Sequence, residues 1–205
     1  MKLYNSIGPN PRVVRIFFAE KGVEVPMEAV DLMGGENRQA PYLERNPAGQ
    51  LPCLELDDGS YLSEILAICE YIDEKHPEPA LIGTTAEERA ETRMWTRRID
   101  LGVAENIFGG FRYAEGLPLF KDRMRTIPAA ADDLKANAQD KLEWLDGQLA
   151  GREWVCGDRY TVADILLFGV VEFAGSVGQP LRDGLTWLPG WFERVAKRSA
   201  VEASK

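Results

Sequence analysis

Apolar residues recur along this chain in two different grammars, and the change falls near residue 77. In the first stretch, short apolar runs alternate with turn signals. Leu3 and Tyr4 open a strand. Residues 11–21 carry helical spacing, with Asn10 suited to the N-cap, Pro11 to the first helical position and Gly22 to the C-terminal cap. A second strand is expected over 27–32 and a short helix over 37–43. Strands at 53–56 and 61–62 flank Asp57-Asp58-Gly59-Ser60, a tight-turn sequence. Ser63 is then placed to cap a helix whose Ile65, Ile68, Cys69 and Ile72 share one face.

This order predicts a thioredoxin-like α/β layer over residues 1–77: a strand–helix–strand crossover followed by a strand hairpin and a helix. The breaker-rich run from His76-Pro77-Glu78-Pro79 to Gly83 marks a linker, expected over residues 78–85. From residue 86 to 205 the pattern is helical and predicts an all-α bundle domain. Leu134, Ala138, Leu142, Leu145 and Leu149 form one stripe. Residues 162–174 are apolar on nearly every face, as in a helix at the centre of a bundle. Thr161-Val162-Ala163-Asp164 has the form of a capping box, with Tyr160 and Ile165 as its staple.

Charge narrows the partners. The 205 residues carry a formal charge of −9, a surface that disfavours nucleic acid. No run approaches the roughly 20 apolar residues that span a bilayer, and the first residues lack a secretion signal's apolar core. A cytoplasmic protein without membrane contact is expected. Cys53, Cys69 and Cys156 are too few and scattered for a disulfide framework. With His76 as the one histidine, no metal site is expected, and His76 receives no role.

The most informative stretch is Asn46-Pro47-Ala48-Gly49-Gln50-Leu51-Pro52, leading through the hairpin to Ser63-Glu64-Ile65. It resembles the glutathione-binding half of the glutathione S-transferase family. The resemblance implies a cis bond before Pro52, with the main chain of Leu51, beside Gln50, holding glutathione's cysteinyl unit like an added strand. It places Glu64 and the helix start at Ile65 on the γ-glutamyl end, where free N–H groups suit a carboxylate. It places Asn37 and Arg38 against the glycyl carboxylate. Ile65 departs from the family, which usually has a serine there.

The resemblance also implies that glutathione's sulfur ionises near 4–12, at the start of the first helix. No cysteine lies there, which argues against glutaredoxin-like chemistry. The candidates in that loop are Asn10, Ser6 and Tyr4, in that order, as in atypical members without the usual Tyr, Ser or Cys. An electrophile pocket is expected from Phe108, Phe111, Arg112 and Tyr113, with Gly109-Gly110 weakening the helix into a loop edge. A homodimer is implied, Asp100 reaching the partner subunit's γ-glutamyl site. The expected reaction is thiolate attack on an electrophilic carbon, giving conjugation, dehalogenation or ether cleavage. Two alternatives stand beside it: a non-enzymatic protein-interaction module, and a glutathione-dependent peroxidase or disulfide reductase.

Overall fold

The computed structural model describes residues 1–205, and the chain divides into two compact units: Met1–Leu81 with Arg198–Lys205, and Ile82–Lys197. The last eight residues thus pack with the first unit, whereas the helical pattern had assigned them to the second. No helix is long and apolar enough to cross a membrane.

The first unit is built on a four-stranded sheet in the order β2-β1-β3-β4, with β1 Lys2–Asn5, β2 Met27–Ala29, β3 Cys53–Glu55 and β4 Tyr61–Ser63. Strand β1 runs parallel to β2 and antiparallel to β3, and β3 pairs antiparallel with β4. This is the thioredoxin-like arrangement that the element order predicts. Helix α1, Pro9–Glu20, makes the parallel crossover. It begins two residues earlier than its pattern suggests, because Pro9 takes the first helical position and Gly8 (φ 116°) the N-cap. Its end follows the expected rule. Gly22 sits at φ 62°, its N–H bonded to Ala19 O and that of Val23 to Phe18 O, a Schellman closure.

Between β2 and β3 the chain makes a 3-10 turn, Glu36–Arg38, and a short helix α2, Ala40–Leu43. Extended backbone at Gln39 separates them, so the single helix expected over 37–43 is two pieces. Helix α3, Ile65–Lys75, follows β4 and packs on α1. Leu3 pairs with Leu54 and Tyr4 with Cys53, so the alternation of a strand puts the two pairs on opposite faces of the sheet. Tyr4 and Cys53 form a buried cluster with Val30, Tyr42 and Leu51.

A buried ion pair ties the unit together. Lys21 Nζ lies 2.6 Å from Asp73 Oδ1, with the two side chains 0% and 5% exposed. The same ammonium donates to Pro79 O, and Asp73 accepts the N–H of Leu81. Breaking a buried pair from one side strands the other charge, at a cost of about 3–5 kcal/mol. Lys21→Met is therefore expected to lower the unfolding free energy in urea by that amount. The double variant with Asp73→Leu should recover part of the loss, and an unchanged single variant would deny the pair its role.

The second unit is helical: α4 Ala86–Ile99, α5 Glu105–Tyr113, α6 Leu117–Phe120, α7 Ala131–Leu149, α8 Val162–Ser176 and α9 Leu188–Ala196. A π-helical segment, Asp100–Ala104, joins α4 to α5. Helix α8 is buried along almost its whole length and starts on the predicted capping box, with Thr161 and Asp164 each bonding the other's backbone region. The last helix, α10 Ser199–Ala203, belongs to the first unit and packs on α1.

Candidate active site

The loop before β3 is held from beneath. Asn46 Nδ2 and the Tyr42 hydroxyl both donate to Gln50 O, at 2.8 and 2.6 Å. Asn37 Nδ2 donates to Gly49 O at 2.7 Å. These three buried groups fix the main chain just before the Leu51–Pro52 bond, which is cis. Neither the N–H nor the carbonyl of Leu51 joins a backbone hydrogen bond. An unpaired donor and acceptor on one residue, in the loop just before β3, can pair with the main chain of an extended peptide. Gln50 projects its exposed side chain beside them.

Asn37 and Arg38 occupy different environments. Asn37 is 2% exposed and its amide is spent on Gly49, so it shapes the loop. Arg38 is exposed and lies along Gly49, where an added Cβ would come within 3.1 Å of its guanidinium nitrogen. Arg38 is therefore the member of the pair open to a carboxylate. Asn46 and Tyr42 were not among the sequence candidates, although Asn46-Pro47-Ala48-Gly49 has the composition of an Asx turn, and Ala48 N–H does donate to Asn46 Oδ1.

The start of α3 differs from its sequence reading. Ser63 belongs to β4, and the N-cap is Glu64, with no side-chain capping bond. Glu64 has φ 72° and ψ 126° and is the one non-glycine residue with positive φ. Such strain persists where the surroundings enforce it, and it concentrates at ligand sites. The first intrahelical bond runs from Ile68 N–H to Glu64 O, so the N–H groups of Ile65, Leu66 and Ala67 have no helical acceptor. No acidic residue occupies this first turn. The result is a helix end with three N–H groups free of helical acceptors, beside an exposed glutamate and the half-buried Ile65.

At the start of α1 the three thiol-activation candidates part company. Tyr4 is 1% exposed, and its hydroxyl donates to Glu55 Oε2 at 2.7 Å. Burial first, and then Glu55, push that hydroxyl above the ordinary tyrosine value, the reverse of what thiolate stabilisation asks. Ser6 donates its hydroxyl to Val30 O at 2.8 Å. Asn10 lies inside the first turn, not at its cap, and the helix has no side-chain cap. Pro9 and Pro11 have no N–H, and Arg12 N–H is taken by Gly8 O. The Asn10 N–H is thus the main-chain donor left in the first turn, and its amide side chain stands on the same residue.

The chain's own thiols do not compete. Cys53, Cys69 and Cys156 are all buried. Burial pushes the Cys53 thiol up to about 11, and raises Cys69 and Cys156 as well, so none is a ready thiolate at neutral pH.

In the helical unit, Phe108 and Phe111 both meet Phe173 edge-on, with ring centroids 5.6 and 5.2 Å apart, and Phe111 also meets Phe120. The Arg112 guanidinium lies over the rings of Phe108 and Phe120, and Tyr113 is half-buried at the end of α5. Gly109 and Gly110 do not loosen this helix. A Cβ on either would come within 2.9 Å of Leu134 or 2.7 Å of Lys135, so they let α5 and α7 approach closely. Asp100 opens the π-helical segment, with Arg97 3.8 Å away. A cavity of about 620 Å³ lies elsewhere, lined by Phe18, Val23, Val25 and Met27, and contains none of these candidates.

Residues 7–75 match the family model "Glutathione S-transferase, N-terminal domain", and residues 116–199 match "Glutathione S-transferase, C-terminal domain". Glutathione S-transferase 2 of Saccharomyces cerevisiae is 30% identical over 202 residues, 95% of this chain and 84% of that protein. A glutathione S-transferase of Escherichia coli is 31% identical over 204 residues, 98% of this chain and 96% of that protein. The crystal structure of a glutathione S-transferase domain-containing protein from Marinobacter aquaeolei superposes with a TM-score of 0.93 at 36% identity, covering 98% of this chain and 100% of that one. The chain belongs to the glutathione S-transferase family.

Proposed function

We propose that the first unit binds glutathione across Arg38, Leu51 and Glu64, and that Asn10 stabilises its thiolate for attack on an electrophilic carbon. The observation that carries this reading is the unpaired N–H and carbonyl of Leu51 before Pro52. They match the main chain of a cysteinyl residue, and they stand in the same unit as the carboxylate-binding start of α3. Arg38 takes the glycyl carboxylate, while Asn37 and Gln50 set the path of the loop. Glu64 faces the γ-glutamyl ammonium, and the N–H groups after it take the α-carboxylate.

At the sulfur, Asn10 supplies both of its donors, amide side chain and main-chain N–H, at the positive end of α1. Tyr4 drops out of this role because Glu55 holds its hydroxyl, and Ser6 is left as a second-rank donor. Conjugation, dehalogenation and ether cleavage share this chemistry. Phe108, Phe111, Arg112 and Tyr113 supply the apolar and cationic contacts for the electrophile. The protein acts as a homodimer, with Asp100 directed to the partner subunit's glutathione.

Calorimetry with reduced glutathione and with S-hexylglutathione tests the reading. Micromolar to low-millimolar binding, tighter for the hexyl form, is expected. No heat from either, in a folded protein, would replace the reading with a non-enzymatic interaction module. The missing hydroxyl at Ile65 gives a second check. A restored hydrogen bond to a charged group is worth about 1.5–3 kcal/mol. Ile65→Ser should therefore tighten glutathione binding by about tenfold or more, whereas unchanged affinity would show the carboxylate already saturated by the α3 N–H groups.

A further inference from the structure

We propose that Arg198–Lys205 is a strap that positions the β1–α1 entrance, and that Arg15 is the positioning residue through which its docking reaches Asn10. The proposal rests on the assignment of that entrance as the sulfur site.

The strap is fixed along the whole length of α1. At the far end, Arg198 makes a two-pronged bond to Glu20, at 2.5 and 2.8 Å. In the middle, Ala200 and Val201 are buried. At the near end, Ser204 meets both arginines of the first two turns. Its hydroxyl accepts from Arg12 Nη1 at 2.7 Å and donates to Val201 O, while its carbonyl accepts from Arg15 Nε at 2.9 Å. Ser204 and Arg12 are themselves buried.

Arg15 does more than hold the strap. Its Nη1 donates to Asn5 Oδ1 at 2.8 Å and to Ser6 O at 3.2 Å. One rigid guanidinium thus joins the strap to the loop that enters α1. Arg12, two residues after Asn10, joins the strap to the first turn, and its own N–H closes that turn on Gly8. The segment therefore holds both limbs that flank Asn10: the loop before it through Asn5 and Ser6, and the helix after it through Arg12. Leu51 and Glu64 lie on other elements.

A hydrogen bond to a thiolate weakens steeply with small errors in distance and angle. Undocking the strap should then cost thiolate stabilisation while leaving the peptide-holding contacts in place. This separation distinguishes positioning from general structural support, which would change both together.

The test uses full-length variants. Val201→Asp places a charge at the buried centre of the strap, Arg15→Gln cuts the link to the loop, and Arg15→Lys keeps a cation there. Glutathione affinity is measured by calorimetry, and the pKa of the bound thiol by the ultraviolet absorbance of its thiolate. Val201→Asp and Arg15→Gln are each expected to leave Kd within about twofold and to raise the bound thiol's pKa by about one unit, a tenfold change in its ionisation constant. Arg15→Lys should recover part of that shift. Wild-type thiol pKa in the folded variants would overturn the proposal, and so would a parallel loss of affinity and pKa. Should Val201→Asp not fold, the two Arg15 variants decide. A wild-type protein that binds glutathione without lowering its thiol pKa would instead remove the sulfur-site assignment, and the strap's role with it.

Discussion

Asp164→Ala is expected to lower the unfolding free energy of the protein by about 3–5 kcal/mol, a large part of the stability of an ordinary domain. Asp164 is fully buried, and its two oxygens serve separate segments. Oδ1 accepts the N–H of Val155 and the indole N–H of Trp191, each at 2.9 Å. Oδ2 accepts the N–H of Thr161 at 3.0 Å and completes the capping box of α8. Alanine leaves three buried donors without acceptors, one of them the Thr161 N–H of the capping box, each costing upward of about 1 kcal/mol, while Thr161 keeps its own bond to the Ala163 N–H. Trp191 would also lose the bond that orients it against Trp187, with which it stacks at 5.4 Å. Urea unfolding followed by tryptophan fluorescence reads both effects. A loss below about 1 kcal/mol would mean that this carboxylate is not the keystone of the second unit.

The same residue carries a pH signature. Burial pushes the Asp164 carboxyl up to about 6, against the hydrogen bonds that favour its ionised form. A carboxyl whose pKa is raised in the folded state binds its proton more tightly there than in the unfolded chain. Its contribution is full below about 4 and is lost as pH rises to about 6. Asp164→Asn has no such titration. The stability gap between wild type and Asp164→Asn should therefore narrow as pH rises through that window, and a gap that widens would reverse the sign.

Much of the fold was legible because it rests on local chemistry. The capping box at Thr161 and Asp164, the Gly22 cap and the turn at Asp57–Ser60 depend on a few adjacent residues, and each formed as its sequence implies. The site was legible where a backbone peculiarity has a sequence mark, as at Leu51-Pro52. It was less so where two residues compete for one position. Asn10 and Gly8 can each start α1, and Pro9 settles the matter in favour of Gly8. Ser63 and Glu64 can each precede α3, but Ser63 is paired with Cys53 in the sheet, which forces the turn onto Glu64. The side of the sheet that Tyr4 faces follows from its register with Cys53, a long-range fact. The return of Arg198–Lys205 to α1 is longer in range still and leaves no periodic trace. It rests on three arginines and Ser204, each ordinary on a helix surface when read alone.

The strain at Glu64 gives the sharpest separation of stability from function. Positive φ with a side chain costs about 1–3 kcal/mol, and glycine removes most of that cost while giving back about 0.5–1 kcal/mol in chain entropy. Glu64→Gly is therefore expected to stabilise the protein by about 1 kcal/mol, a Tm rise of about 2–4 °C for a chain of this size. It also deletes the carboxylate facing the ammonium of glutathione. A lost charge-assisted bond of about 1.5–3 kcal/mol should weaken binding by about tenfold to a hundredfold. Glu64→Ala supplies the contrast, since it loses the same carboxylate but keeps the Cβ that makes φ 72° costly. It should bind as poorly as the glycine variant and show none of the thermal gain. Equal Tm values for the two variants would show that the backbone at Glu64 is unstrained. Normal affinity in both would move the γ-glutamyl end of glutathione away from α3. Stabilisation with loss of binding in Glu64→Gly alone, and loss of binding without stabilisation in Glu64→Ala, is the pattern of a residue held in an unfavourable conformation so that its carboxylate meets the ligand.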